Sequence, residues 1–159
     1  MNWLALFTAS AWVDFVVIGI SKVFPSIFKE LTIWYNRFGP VASALDVLIL
    51  VLGVALAKFF VPSATGITLA GLSIAIQIVH DVLFGIIITA LPAGHNQLMD
   101  VFKLYVRGAP GWSILLGDAA MIGSTVFIME WMEENLSNNW IAFAGILAVY
   151  SLLYILYTK

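Results

Sequence analysis

Four aspartates fall within long apolar stretches of this 159-residue chain, and they are the residues best suited to do chemistry. They are Asp14, Asp46, Asp81 and Asp118. A charged side chain at the centre of a bilayer costs at least about 2.5 to 3.5 kcal/mol on insertion scales, so each carboxylate must be protonated, paired or bound to a cation. Carboxylate oxygens are also the ligands that hard cations prefer. The pattern therefore indicates a site for protons or metal cations.

Two further polar residues accompany Asp81 within its apolar stretch. Gln77 and His80 precede it by four residues and one residue. Positions three or four apart share a helix face, so all three side chains line one side of a helix. The imidazole of His80 is suited to act as a nitrogen ligand or as a proton relay. The pattern does not identify a particular ion.

A structural role is the first prediction for these residues. Neutral aspartates can cross-link membrane helices by hydrogen bonds with nearby hydroxyl groups, such as that of Ser43 three residues before Asp46. No potassium-channel filter sequence of the TVGYG type is present. We therefore predict a structural membrane protein, with a proton or metal-cation channel or transporter as the alternative.

No enzymatic activity, catalytic residue or cofactor is predicted. Gly117-Asp118 matches part of the Gly-x-Gly-Asp motif of intramembrane aspartyl proteases, but Leu115 stands where the first glycine belongs. A protease is thus a remote alternative. His80-Asp81 has no nearby nucleophilic serine or cysteine and forms no catalytic triad.

The composition indicates an integral membrane protein. Hydrophobic residues make up 62% of the chain and charged residues 10%, against about 45 to 50% and 25% in soluble domains. The mean hydropathy is +1.03. Seven scattered basic residues and a net charge of -2 provide no basic stripe for nucleic acid. Without cysteine there is no disulfide or thiol chemistry. The length fits one domain, residues 1–159.

Five segments are long and apolar enough to cross a bilayer, which takes about 20 residues. They cover residues 3–24, 41–60, 66–91, 112–131 and 140–157. The connecting segments 26–38 and 95–107 are amphipathic and are predicted to lie in the membrane interface. For the second of them, Asn96 is the expected N-cap and Gly108 the expected stop. The predicted fold is an all-α bundle of five transmembrane helices with two interfacial helices.

The basic residues predict the orientation of these spans. Six of the seven lie on the side that holds the first and third connections and the C-terminus: Lys22, Lys29, Arg37, Lys103, Arg107 and Lys159. The positive-inside rule then predicts a cytosolic C-terminus and an N-terminus on the other side. Lys29, Arg37, Lys103 and Arg107 are expected to anchor the interfacial helices at the headgroups.

An internal duplication is a further hypothesis. Gly39 precedes Asp46 by seven residues, as Gly111 precedes Asp118, and a Tyr-x-Arg sequence lies upstream of each glycine. The chain would then consist of parallel repeats, residues 3–60 and 66–131, followed by an extra helix, residues 140–157. Chance similarity between membrane segments is the alternative.

The stretch LPAGHNQLMDVFKLYVRGAPGWSILLGDAAMIGS, preceded by IVHDVLFG, resembles a family of uncharacterised small multi-span membrane proteins of large nucleocytoplasmic DNA viruses. The shared pattern is a His-Asp span, a Gly-His-Asn loop, an Asp-Val-Phe-Lys amphipathic helix and a Gly-Asp span. The resemblance implies a viral origin and a place in the virion's internal membrane. Expected partners are the lipid bilayer, capsid or other membrane proteins and further copies of the chain. It implies no activity and no functional residue.

Overall fold

The computed structural model describes residues 1–94, 96–108 and 111–158, and every regular element within these ranges is a helix. His95, which begins the predicted interfacial segment 95–107, lies outside the described residues, and so does Lys159, one of the basic residues that predict the orientation. The described residues form five long helices, α1 (Trp3–Val23), α3 (Pro40–Phe60), α4 (Gly66–Ala90), α6 (Gly111–Asn135) and α7 (Asn138–Tyr157), and two short ones, α2 (Lys29–Phe38) and α5 (Gln97–Gly108). The predicted all-α helical bundle is confirmed.

The five long helices are all long and apolar enough to cross a membrane. Many of their large apolar side chains are exposed, including Ile67, Leu83 and Ile146. An apolar outer surface is what lipid requires, because hydrocarbon offers no partners to polar groups. The protein is therefore a multi-pass integral membrane protein.

Local sequence explains where the short helices begin and end. The Asn96 side chain accepts hydrogen bonds from the amides of Leu98 and Met99 at 2.9 and 3.4 Å, so the predicted N-cap of α5 is confirmed. This helix ends at the expected Gly108. Between α2 and α3, Gly39 has a φ of +50°, which glycine adopts without strain. Pro40 follows as the first residue of α3, where its missing N–H costs nothing.

The long helices form one bundle, and α2 and α5 cover one end of it. α1 packs against α3, α6 and α7, while α4 packs against α3 and α6. One apolar cluster, which includes Leu6, Val54 and Val126, joins these helices. A second cluster includes Ile18 and Trp34 and attaches α2 and α5 to the bundle. The order of long, short and long helix occurs twice along the chain, and the internal duplication stays a prediction.

Two details differ from the sequence pattern. α6 continues to Asn135, past the predicted end at residue 131, because the glutamates that lower the hydropathy there are still compatible with a helix. Lys103, one of the residues expected to anchor the interfacial helices at the headgroups, is buried. Its Nζ donates to the carbonyl oxygen of Leu91 at 2.6 Å and lies 3.7 Å from Asp100 Oδ1. It thereby satisfies a carbonyl group at the C-terminal end of α4, where a positive charge is favoured.

Candidate functional site

A cavity of about 360 Å³ lies between the bundle and the two short helices. Its wall includes five of the six residues that the sequence singled out: Gln77, His80, Asp46, Asp81 and Asp118. These residues come from α3, α4 and α6, so three separate helices bring them together. The sixth residue, Asp14 on α1, does not line the cavity.

One carboxylate oxygen of Asp81 contacts residues of its own helix, α4. Its Oδ1 accepts a hydrogen bond from Gln77 Nε2 at 2.7 Å and lies 3.0 Å from His80 Nδ1. The glutamine stands one turn before the aspartate, which is the spacing at which helix side chains meet. The His80 ring stacks on Phe84, with centroids 5.5 Å apart and an interplanar angle of 14°. Asp81 Oδ2 is buried and has no hydrogen-bond donor in the described part of the chain.

Asp118 reaches the same carboxyl group from α6. The side chains of Asp118 and Asp81 are close enough for a hydrogen bond between them, and Asp46 lies within electrostatic range of Asp118. Ionised carboxylates only accept hydrogen bonds, so two of them bond to each other only when one carries a proton. Such a proton would also satisfy Asp81 Oδ2. The α4–α6 contact thus creates a carboxyl pair suited to sharing a proton.

Asp46 and Asp14 are linked through aromatic residues of α2. Asp46 Oδ2 accepts a hydrogen bond from Trp34 Nε1 at 3.1 Å. The Tyr35 hydroxyl donates to Asp14 Oδ1 at 2.9 Å and also interacts with the Asp46 carboxyl. Ser43 donates to the other oxygen of Asp14. Asp14 is fully buried behind the cavity wall, with a hydrogen-bond donor for each carboxylate oxygen.

Two tyrosines of the short helices face these acids and stay protonated. Burial raises the pKa of the Tyr35 hydroxyl well above its ordinary value, and the charges of Asp46 and Asp14 add to the effect. Burial also raises the pKa of Tyr105, and the charges of Asp118 and Asp46 raise it further. Both residues line the cavity. They therefore present neutral phenols, which can donate hydrogen bonds to the carboxyl groups.

The cavity wall also contains residues that sequence reasoning missed. Glu30 of α2 adds a fourth carboxyl group, and Trp34, Phe84 and Phe102 add aromatic surface. None of the described lining residues is lysine or arginine. Trp34 and Phe102 lie at apolar positions of the amphipathic segments 26–38 and 95–107, a pattern that does not predict a place in a cavity wall. The Tyr-x-Arg sequence that occurs in both segments was the one signal that could have pointed to Tyr35 and Tyr105.

The metal form of the predicted site stays a prediction. Within the described ranges, no group of three or more His, Asp or Glu side chains is placed to hold a metal ion. Of the predicted anchoring residues, Lys29, Arg37 and Arg107 are exposed at the covered end of the bundle and Lys103 is buried. The anchoring role of all four stays a prediction.

No protein-family model, curated protein or solved structure matches this chain. The function must therefore be inferred from the geometry of the cavity and from the sequence.

Proposed function

We propose that this protein binds protons at its intramembrane carboxyl groups and moves them across the membrane, as a channel or transporter. The observation that carries the proposal is the Asp81–Asp118 carboxyl pair, which lies in a wall with two further acids and no described lysine or arginine. Like charges at such short range in a low dielectric cannot all be ionised. The cluster would therefore hold protons and titrate as a coupled unit.

The polar groups form a series that a proton can follow. Tyr35 lies between Asp14 and Asp46, and Asp118 lies within electrostatic range of Asp46 and within hydrogen-bond reach of Asp81. Asp81 in turn contacts His80, whose side chain is 39% exposed. An imidazole that is partly exposed and beside a carboxylate is suited to pass protons between a surface and a buried acid. The series joins α1 to the outer side of α4.

Proton flux into liposomes tests this function. The wild-type protein, reconstituted with a pH-sensitive dye inside the vesicles, should carry protons down an imposed gradient faster than protein-free vesicles. Asp118→Asn should reduce the flux by about tenfold or more, because an amide cannot accept and release a proton.

Glu134→Gln is the matched control for this experiment. It makes the same chemical change on the same helix, at an exposed position near the opposite end of α6. Its flux should equal that of the wild type. No flux through correctly inserted wild-type protein would refute the proposal, and so would equal flux through Asp118→Asn.

That the protein is a structural component of a viral membrane stays a prediction. The sequence resemblance supports it, and it concerns where the protein lies. In that setting, the exposed basic residues of α2 and α5, namely Lys29, Arg37 and Arg107, would face capsid or other membrane proteins. With the predicted orientation, this end of the bundle lies on the cytosolic side. We propose no catalytic activity for the chain.

A further inference from the structure

Acidic side chains face the cavity from several sides. Carboxyl groups enter its wall from α2, α3, α4 and α6, and the described lining residues include no lysine or arginine. The ionisable groups that face it are His80 and the phenols and carboxyl groups of Glu30, Tyr35, Asp46, Asp81, Tyr105 and Asp118. A cavity of this composition favours a positively charged occupant.

An aromatic surface lies beside the carboxyl groups. The rings of Trp34 and Phe102 have centroids 4.6 Å apart, and Phe84 meets Phe102 edge-on at 5.3 Å. The three rings therefore form a continuous surface along one side of the cavity. Aromatic faces attract cations within about 6 Å through the quadrupole of the ring, and quaternary ammonium groups are recognised in this way.

The volume of the cavity and its apolar lining residues fit an organic cation better than a bare inorganic ion. A volume of about 360 Å³ falls within the range of about 300 to 1,000 Å³ that is usual for small-molecule sites. Apolar side chains, among them Leu31, Leu45, Met99 and Met121, line much of the rest of the wall. A small hydrated cation would leave these apolar side chains without a partner, whereas an organic cation would cover them.

From the acidic side chains, the aromatic surface and the size together, we infer that the cavity binds a small lipophilic organic cation of the arylalkylammonium class, and that binding releases protons from the carboxyl groups. This inference rests on the proposed function, because the same carboxyl groups hold either the protons or the cation. The cation and the protons would then compete for the same carboxyl groups.

Calorimetric titration with benzyltrimethylammonium tests the inference, since this probe carries a permanent charge beside an aromatic ring. The wild-type protein in detergent micelles should bind it, and the affinity should fall as the pH is lowered and the carboxyl groups take up protons. Titrations in buffers with different ionisation enthalpies should show that protons are released on binding. Neopentylbenzene, in which carbon replaces the charged nitrogen, should not bind beyond its partitioning into the micelles.

Variants separate the role of the charge from that of the rings. Asp118→Asn should weaken both benzyltrimethylammonium binding and proton flux. Phe102→Leu keeps an apolar side chain but removes a ring face, so it should weaken cation binding by about fivefold or more while proton flux is retained. Phe84→Leu provides a second ring variant if Phe102→Leu does not insert correctly. Glu134→Gln should change neither property.

The two proposals fail in different ways. Proton flux through wild-type protein that does not bind benzyltrimethylammonium would overturn the cation site and leave the proposed function in place. Benzyltrimethylammonium binding without proton flux would overturn the proposed function. Equal binding of the neutral isostere, or binding that is independent of pH, would overturn the inference that the carboxyl groups recognise the charge.

Discussion

The four intramembrane aspartates differ in their contacts. Asp14 is fully buried, and its two oxygens accept hydrogen bonds from Tyr35 and Ser43. Its contacts are those of a carboxylate that joins three helices. Asp81 and Asp118 face each other instead, and Asp81 Oδ2 has no hydrogen-bond donor in the part of the chain that the structure describes. The contacts of Asp14 thus fit the structural hypothesis from the sequence, and the proton-binding role that we propose centres on Asp81 and Asp118, with Asp14 at the far end of the series.

The raised pKa values of the Tyr35 and Tyr105 hydroxyls can be tested by titration. Burial and the nearby aspartates raise the pKa of both hydroxyls, so both stay neutral where an exposed tyrosine ionises, near pH 10. In a spectrophotometric titration of the folded protein to about pH 11, Tyr35→Phe and Tyr105→Phe should each give the same absorbance change as the wild type. After unfolding, each variant should show one tyrosine fewer. A smaller change in the folded variants would contradict the assignment.

The sequence predicted the aspartates of the site and placed Gln77 and His80 beside Asp81, but it did not predict the partners that other helices supply. Asp46, Asp81 and Asp118 stand out because a carboxyl group is costly in an apolar helix wherever the helix packs. Ser43 shares the α3 face of Asp46 yet donates to Asp14. Its partner depends on how α1 and α3 pack, which the spacing along one helix does not contain. The same holds for Trp34, whose indole reaches Asp46 only after α2 has docked.

At the scale of helices, local signals gave most boundaries correctly. Asn96 and Gly108 act through the backbone of their own segment, so the sequence is sufficient to place them. The end of α6 was placed too early because hydropathy marks where a membrane ends and not where a helix ends. The docking of α2 onto α5 was also missed, since amphipathic faces do not specify which surface they cover.

Glu130 makes a contact between helices that can be tested. Both of its carboxylate oxygens accept a hydrogen bond from the Gly66 amide, at 2.8 and 2.9 Å. This amide begins α4, and a negative charge is favoured at a helix N-terminus. Glu130→Gln should lower the free energy of unfolding by about 0.5 to 2 kcal/mol. Unfolding by denaturant in micelles measures the effect, and Glu134→Gln is the control. Equal stability of the two variants would contradict this role for Glu130.

At the scale of the whole molecule, the two ends of the bundle differ. One end is tied by polar contacts, including those of Glu130 with Gly66 and of Asn2 with Asn138. The other end carries the cavity under α2 and α5. The number of spans and the all-α fold could be predicted from hydropathy alone. The cavity could not, because it is a space between five helices and no single segment encodes its shape.

Infrared spectroscopy tests most directly whether the carboxyl cluster holds protons in the membrane. At neutral pH the wild-type protein should show the C=O stretch of a protonated carboxyl group, and this band should shift on exchange into deuterated water. The band should become weaker in Asp118→Asn, where Asp81 loses the partner with which it shares a proton, and should persist in Glu134→Gln. A wild-type spectrum without a protonated carboxyl band, or an equally strong band in Asp118→Asn, would contradict the proposed proton site.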